Sequence, residues 1–369
     1  MSDTHKPLKI AFILPALMSG GAERVLITLM NGLDRARYTP VLLSVSNKGE
    51  LRSIIDKDIS VITLNKDRMF KSLPWLLNAL KKQKPDIVVS TMAHTNFTVL
   101  LLKPFFPKTH FIVREAITPS FFFEKYKSRR HLLKTMYKLL YPRADLILSP
   151  TKKVFDEFRR DLGFESRKFT HLPNPVDLEN IRKACNFPEI DTKRRKTVHF
   201  IAAGRLEPQK GYDRLIEALP RFSPKYDWRL TILGEGSQRG ALEALISKHN
   251  LTDKITLKGL VQRPYEDFGA ADCFLLPSRH EGLPNVILES LACGTPVIAT
   301  KESGGIDEIA SAANENDVQV VEDMEAFLQA MERISPNPAP GFRPSLLPEI
   351  YSRQSIAAAF DEILKRAAS

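Results

Sequence analysis

Two doubly wound α/β domains are predicted for this 369-residue chain. Three observations carry the prediction. Apolar runs of strand length alternate with helix-like stretches from end to end, a pattern that favours parallel sheets with right-handed crossovers. The length suits two domains. Residues 173–196, "PNPVDLENIRKACNFPEIDTKRRK", interrupt the alternation with proline, asparagine and charge, as a domain boundary does.

In the first half the buried parallel strands read as "KIAFILP", "TPVLLSV", "DIVVSTM", "HFIVRE" and "ADLILSP". In the second they read as "VHFIAAG", "WRLTILG", "KITLKG", "DCFLLPS" and "TPVIAT". Helical stretches such as 22–33 and 212–221 lie between them. The domains are expected at 1–175 and 195–345. A second proline-rich connector, 336–349, precedes an amphipathic helix at about 350–369, placed to pack back on the first domain. There is no repeat at solenoid periods.

Composition narrows the classes. A 43% hydrophobic content fills ordinary cores. Cys185, Cys273 and Cys293 are far apart in sequence and odd in number, which suggests neither a disulfide framework nor a zinc site and points to a reducing compartment. The opening "KIAFILPALMSG" imitates a signal-peptide core, but Pro15 and the glycines after it make it a first strand. No run of 18 apolar residues exists, so no transmembrane helix is expected, and the protein is expected in the cytoplasm. The net charge of +11 is uneven: residues 1–200 carry 36 Lys and Arg against 19 Asp and Glu, and the rest 18 against 24. The first half should face something anionic.

Three strand-to-helix passages in the second half carry chemistry. In "HFIAAGRLEPQKGYDRLIEAL", Gly204 ends a strand, and Arg205 and Lys210 follow where an open sheet binds ligands. An arginine fork and a lysine point charge there suit a diphosphate, although the segment alone reads equally as a solvated basic loop. In "LTILGEGSQRGAL", Gly234 and Gly236 again follow a strand; the third glycine is misplaced for the dinucleotide fingerprint, so an ordinary tight turn explains them as well. "HEGLPNVILES" sets Glu281 and Glu289 eight positions apart, with Pro284 suited only to a helix start. The amides of Leu283, Asn285 and Val286 would be helix-terminal donors for a phosphate, and Glu289 could hold two sugar hydroxyls. A lone glutamate on a helix is otherwise a surface residue. In the first half, Gly20 and Gly21 of "SGGAER" follow the first strand and let a ligand approach the backbone, or form a plain turn.

Together these residues resemble a retaining glycosyltransferase of family 4 with the GT-B fold, two Rossmann-like domains facing each other across a cleft. Glu281 and Glu289 meet the family's E-x7-E motif, and Gly204-Arg205-Leu206 with Lys210-Gly211 its G-R-L-x-x-x-K-G segment. "ACGTPVIAT", "SGGIDEIA" and the opening "SGGAER" fit as well. The resemblance covers nearly the whole chain, most strongly 198–310. It implies that Glu289 binds the ribose of a nucleotide sugar and Glu281 contacts the transferred sugar. The amides between them would hold the diphosphate, with Arg205 and Lys210 neutralising it, so that no metal or other cofactor is required. It further implies front-face attack, the departing phosphate taking the acceptor's proton. Many members carry a histidine after the fourth strand of the first domain. Here "IVREAITPS" offers Arg114 and Glu115 instead, with His94 in the preceding loop as the other candidate for sugar or acceptor contact. The family's usual glycine-asparagine stretch after "SGGIDEIA" is replaced by "SAANENDVQVVED".

"DKD" at 56–58 imitates the Asp-x-Asp metal motif of the other glycosyltransferase fold, but reads as a solvated turn between a helix and a strand. Segments 66–84 and 124–143 combine leucine or aromatic faces with Lys and Arg, as helices on anionic membranes do, or as the outer faces of ordinary packing helices do. The reading is a cytoplasmic enzyme, peripheral on the membrane, moving a sugar from a nucleoside-diphosphate donor, UDP by preference, to a lipid-linked or glycan acceptor. The alternatives are a sugar-nucleotide epimerase of the same fold and a basic nucleic-acid-binding protein. No DNA or RNA module supports the last, so no nucleic-acid partner is expected.

Overall fold

The structure, a computed structural model, describes residues 6–18, 20–164, 166–185, 196–337 and 343–368. Ser19 of the first glycine loop, 186–195 of the expected boundary and 338–342 of the second connector lie outside the described residues. The described chain forms two compact units. One reaches Pro175 and takes in the chain again from Arg353; the other spans Val176–Ser352.

The first unit holds a seven-stranded parallel sheet of β1 (Leu8–Leu14), β2 (Tyr38–Ser44), β3 (Ser60–Thr63), β4 (Ile87–Thr91), β5 (His110–Arg114), β6 (Leu146–Ser149) and β7 (Phe169–His171), in the order 3-2-1-4-5-6-7. Its helices are α1 (Gly21–Asn31), α2 (Leu73–Gln83), α3 (Ala93–Leu102), α4 (Pro119–Lys125), α5 (Arg130–Leu140) and α6 (Lys152–Leu162). Central β1 shows why its sequence is an unbroken apolar run. Ile10, Phe12 and Leu14 pack into one core and Ala11 and Ile13 into the other, so both faces are covered.

The second unit has α7 (Leu178–Ala184), α8 (Tyr212–Ala218), α9 (Arg239–Lys248), α10 (Tyr265–Ala270), α11 (Asn285–Ala292), α12 (Ile306–Ala312) and α13 (Met324–Glu332). They cover a parallel sheet of β8 (Thr197–Ala203), β9 (Asp227–Leu233), β10 (Ile255–Gly259), β11 (Cys273–Leu276), β12 (Val297–Thr300) and β13 (Val318–Val321), ordered 10-9-8-11-12-13. The strand order reverses between β8 and β11 here, and between β1 and β4 in the first unit. Ligands of open α/β sheets sit outside the carboxyl ends of strands at such reversals.

The final helix, α14 (Arg353–Ala368), belongs to the first unit. Ile356, Phe360 and Leu364 repeat at helical spacing and join the core that Val25 and Leu29 of α1 also enter. Asp361 accepts hydrogen bonds from Tyr38 Oη and Arg37 Nη1, each at 2.7 Å.

Some sequence expectations needed correction. The expected boundary contains a helix, α7, because Asp177 caps it by accepting from the Asn180 amide at 3.2 Å and Ile181 is buried. The helix expected at 212–221 leaves α geometry after Ala218 and finishes as a 3-10 turn, since Pro220 cannot donate back to Ile216. The metal-motif imitation needs no correction: Asp56 and Asp58 are exposed in a turn before β3, both accepting from Arg35, at 3.2 and 2.6 Å.

Candidate functional site

Two loops at the β8/β11 reversal meet. Gly204 continues β8 by donating to Leu233 O at 2.9 Å; the chain then turns through Pro208–Lys210 to Gly211 and α8. Gly211 has φ +70°, and a Cβ on it would stand 2.0 Å from Pro277 O in the loop after β11. Only glycine lets these backbones touch. Gln209 Nε2 donates to His280 O at 2.7 Å, and the Arg279 amide donates back to Gln209 O at 2.8 Å.

Lys210 and Glu281 therefore come together. Lys210 Nζ donates to Glu281 Oε1 at 2.6 Å, and Ser278 Oγ donates to the same oxygen at 2.9 Å. The two side chains are 13% and 11% exposed, so the pair is largely withdrawn from water and held by charge-assisted bonds. Burial pushes the neighbouring Tyr212 phenol up, and the Glu281 carboxylate pushes it further. The lysine and the glutamate are thus set as a cation and an anion at one strand-end site.

Side chains behind the pair hold the loops in place. Arg279 forks onto Asp213 at 2.7 and 2.9 Å and also reaches Pro208 O at 2.7 Å. Burial alone would raise the Asp213 carboxyl; the Arg279 fork overcomes it and holds it below its ordinary value. Arg214 donates to Pro277 O and Ser278 O, each at 2.9 Å, to Thr300 Oγ1 at 3.2 Å and to Glu302. One guanidinium so ties the loop after β11 to that after β12. That third loop presses on Glu281: a Cβ on Gly304, φ +70°, would lie 2.0 Å from Glu281 O, and the Gly305 amide donates to Gly282 O at 2.7 Å.

The remaining residues named from sequence spread around this centre. Gly234 donates to Gly259 O at 2.7 Å, and Gly236 lies against Leu206, whose amide donates to Glu235 O at 2.9 Å. Arg205 is exposed and has no ion-pair partner among the described residues. Pro284 is extended and α11 starts at Asn285, leaving Leu283 buried and Asn285 and Val286 half-buried at the helix start. Glu289 is half-buried in the second turn, its carbonyl accepting from the Cys293 amide at 3.1 Å. No sequence pattern marked Tyr212, Asp213, Arg214, Ser278 or Arg279. Their role depends on loops that meet only after folding.

In the first unit, Gly20 precedes α1 and accepts from the Arg24 amide at 3.1 Å, and Gly21 is the first residue of that helix. His94 is exposed in the first turn of α3, beside Met92, whose φ of 70° strains the passage from β4. Arg114 and Glu115 correct their expected role as sugar or acceptor contacts. Both are 1% exposed, inside the unit. Tyr141 Oη and Asn96 Nδ2 donate to Glu115 Oε1, the latter at 3.1 Å, while Arg114 binds Asn174 Oδ1. Burial pushes the Glu115 carboxyl up to about 8 against these partners, and lowers Arg114 to about 10. They form the interior brace of the sheet's carboxyl edge.

Comparison with known proteins gives the family. Residues 19–180 match the family described as Glycosyltransferase Family 4, and residues 186–344 match Glycosyl transferases group 1. The chain is 31% identical, over 82% of its length and 83% of the relative's, to the N-acetylgalactosamine-N,N'-diacetylbacillosaminyl-diphospho-undecaprenol 4-alpha-N-acetylgalactosaminyltransferase of Campylobacter jejuni. It is 27% identical, over 91% of its length and 90% of the relative's, to the UDP-Gal:alpha-D-GlcNAc-diphosphoundecaprenol alpha-1,3-galactosyltransferase of Escherichia coli. Its fold is similar to that of Anabaena HepE, solved in complex with UDP-glucose, with a TM-score of 0.76 at 16% identity over 97% of this chain and 100% of that one.

Proposed function

This chain belongs to glycosyltransferase family 4 and has the GT-B fold, and on that premise we propose that it transfers a sugar from a UDP-sugar to a lipid-linked acceptor, with retention of configuration and without a metal. The observation that carries this reading is the Lys210–Glu281 pair at the β8/β11 reversal, a cation and a carboxylate fixed where a nucleotide would lie. Lys210 and Arg205 offset the diphosphate charge. The amides at the start of α11 add the positive end of a helix, and Glu289 holds the ribose. Glu281 orients the transferred sugar. As the bond from sugar C1 to the phosphate oxygen breaks, the acceptor oxygen bonds C1 from the same face and its proton passes to the phosphate.

The acceptor class rests on the two relatives, each named for a substrate on diphospho-undecaprenol. An acceptor of that kind is anchored in a membrane. No helix among the described residues is long and apolar enough to cross one, so the chain would meet it at the surface. The exposed side of α5 supports this: Leu132 and Leu139, two turns apart, are 57% and 64% exposed, and Arg130 and Lys138 of the same helix and Arg129 just before it are exposed too. We place the enzyme on the cytoplasmic face.

Incubation with UDP- and GDP-sugars and a short polyprenyl-diphosphate glycan, in excess EDTA, tests the reading. Product should form from a UDP-sugar, and its new linkage should keep the donor's anomeric configuration by NMR. An inverted linkage, a strict Mg²⁺ or Mn²⁺ requirement, or preference for a GDP-sugar would each overturn the matching part.

A further inference from the structure

Cys185 and Cys293 stand 108 positions apart in sequence, yet their sulfurs are 3.3 Å apart in the second unit. Both are fully buried. Cys185 ends α7, the helix just after the chain passes from the first unit at Pro175; Cys293 ends α11, one turn beyond Glu289. Arg182 joins the same two helix ends, donating to Ala292 O at 3.3 Å and to Arg343 O.

We propose that Cys185 and Cys293 are an oxidation site, forming a reversible disulfide between α7 and α11 when the protein meets hydrogen peroxide. Closing a contact of this length to a disulfide bond takes about 1.2 Å of sulfur movement. The two thiols are unequal. The two sulfurs share a hydrogen bond; contact with Cys293 and the nearby Arg182 guanidinium lower the Cys185 thiol, and burial opposes them. That same bond, with burial, pushes the Cys293 thiol up, so it keeps its proton. With the Arg182 guanidinium on its own helix, Cys185 is assigned as the nucleophile.

In the first step the Cys185 thiolate attacks one peroxide oxygen. A sulfur–oxygen bond forms, the oxygen–oxygen bond breaks, and hydroxide leaves to take up a proton as water. Cys293 sulfur then attacks the Cys185 sulfenic sulfur; the sulfur–oxygen bond breaks, and the departing hydroxide takes the Cys293 proton as a second water. Two thiols and one peroxide become one disulfide and two waters. Burial makes the rate depend on local opening between α7 and α11, so oxidation should be slow and quicken on mild warming. Cys273, buried in β11, serves as an internal control.

The test is peptide mapping of the full-length protein after hydrogen peroxide treatment, denaturation and alkylation of remaining thiols. A Cys185–Cys293 crosslinked peptide should appear, vanish on adding dithiothreitol, and persist in the Cys273→Ser variant. Cys185→Ala should leave Cys293 as a free, alkylatable thiol under the same exposure. Stable sulfinic acid on Cys185 without a crosslink, pairing of either thiol with Cys273, or three unreacted thiols after prolonged warm exposure would overturn the proposal. The wild-type map needs no variant to fold.

Discussion

Lys210 and Glu281 answer each other's charge, so removing one leaves the other poorly solvated. Under the proposed reaction the two glutamates have different roles: Glu281 acts on the sugar and Glu289 on the nucleotide. Glu281→Gln keeps the Ser278 bond but loses the charge, and should lower kcat about 10²-fold with donor KM within a few-fold, whereas Glu289→Ala should chiefly raise donor KM. Steady-state kinetics in which both variants lose turnover equally, at unchanged KM, would undo the division. Glu115 gives a second residue-scale expectation. Its carboxyl sits at about 8 in the fold against about 4.3 unfolded. Between those values the unfolded chain binds fewer protons, so this group's contribution is full at low pH and is lost as pH rises through 8. Glu115→Gln cannot ionise. Its melting temperature should therefore gain on the wild type by a few degrees between about pH 5 and about pH 9. A constant difference across that range would show that Glu115 is not the buried titrating group.

At the scale of elements, the loops matter more than the helices they join. Gly304 has its left-handed backbone and lies against the Glu281 carbonyl, so Gly304→Ala adds both strain and a clash. The substitution should cost roughly 1–3 kcal/mol and lower kcat/KM at least tenfold, because Glu281 must shift. Thermal melts and kinetics together check this; wild-type kinetics would mean the loop yields elsewhere. The α5 face makes a separate expectation. Wild type should sediment with liposomes containing anionic lipid at low salt, but not with neutral ones, since each cation near the surface contributes about 1 kcal/mol. Arg129→Glu with Arg130→Glu and Lys138→Glu should stay in the supernatant while binding UDP normally. If wild type ignores anionic liposomes, α5 is a plain outer helix.

These elements also show what the sequence discloses. The ten apolar runs named as strands all form strands: nine lie inside their sheets, where parallel strands are covered on both faces and read as continuous apolar segments, and the tenth, β10, is an edge strand of five residues. The edge strands β7 and β13, three and four residues long and only partly buried, are too short to stand out as runs. Lys210 and Glu281 were legible from local motifs. Their meeting was not, since it depends on Gly211, Arg214 and the Asp213–Arg279 fork bringing loops 70 residues apart into contact. Arg114 and Glu115 misled for the opposite reason. Charged residues after a strand suggest an exposed loop, and only the structure shows Asn96, Tyr141 and Asn174 enclosing them.

On the whole-molecule scale, the chain leaves its first unit, builds the second, and returns. Deleting residues 353–369 would uncover the core that Ile356, Phe360 and Leu364 fill, each worth roughly 1.5–3 kcal/mol of burial. That loss rivals the whole stability of an ordinary domain. The truncated protein should lose its first unit to limited proteolysis while the second, contiguous unit resists and still binds UDP. Equal resistance of both units would show that α14 is dispensable.

The same return has a consequence for biosynthesis. A ribosome emits β1 before, and α14 after, every other element of the two units. The second unit can close as soon as Ser352 clears the exit tunnel, but the first cannot seal one face of its sheet until α14 has followed it. Throughout the synthesis of the second unit, then, Ile10, Phe12 and Leu14 wait beneath an unfinished roof. This chain departs from the usual order in which an N-terminal domain folds first. Of the two units, the one begun first is finished last, and a nascent-chain chaperone would find its client there.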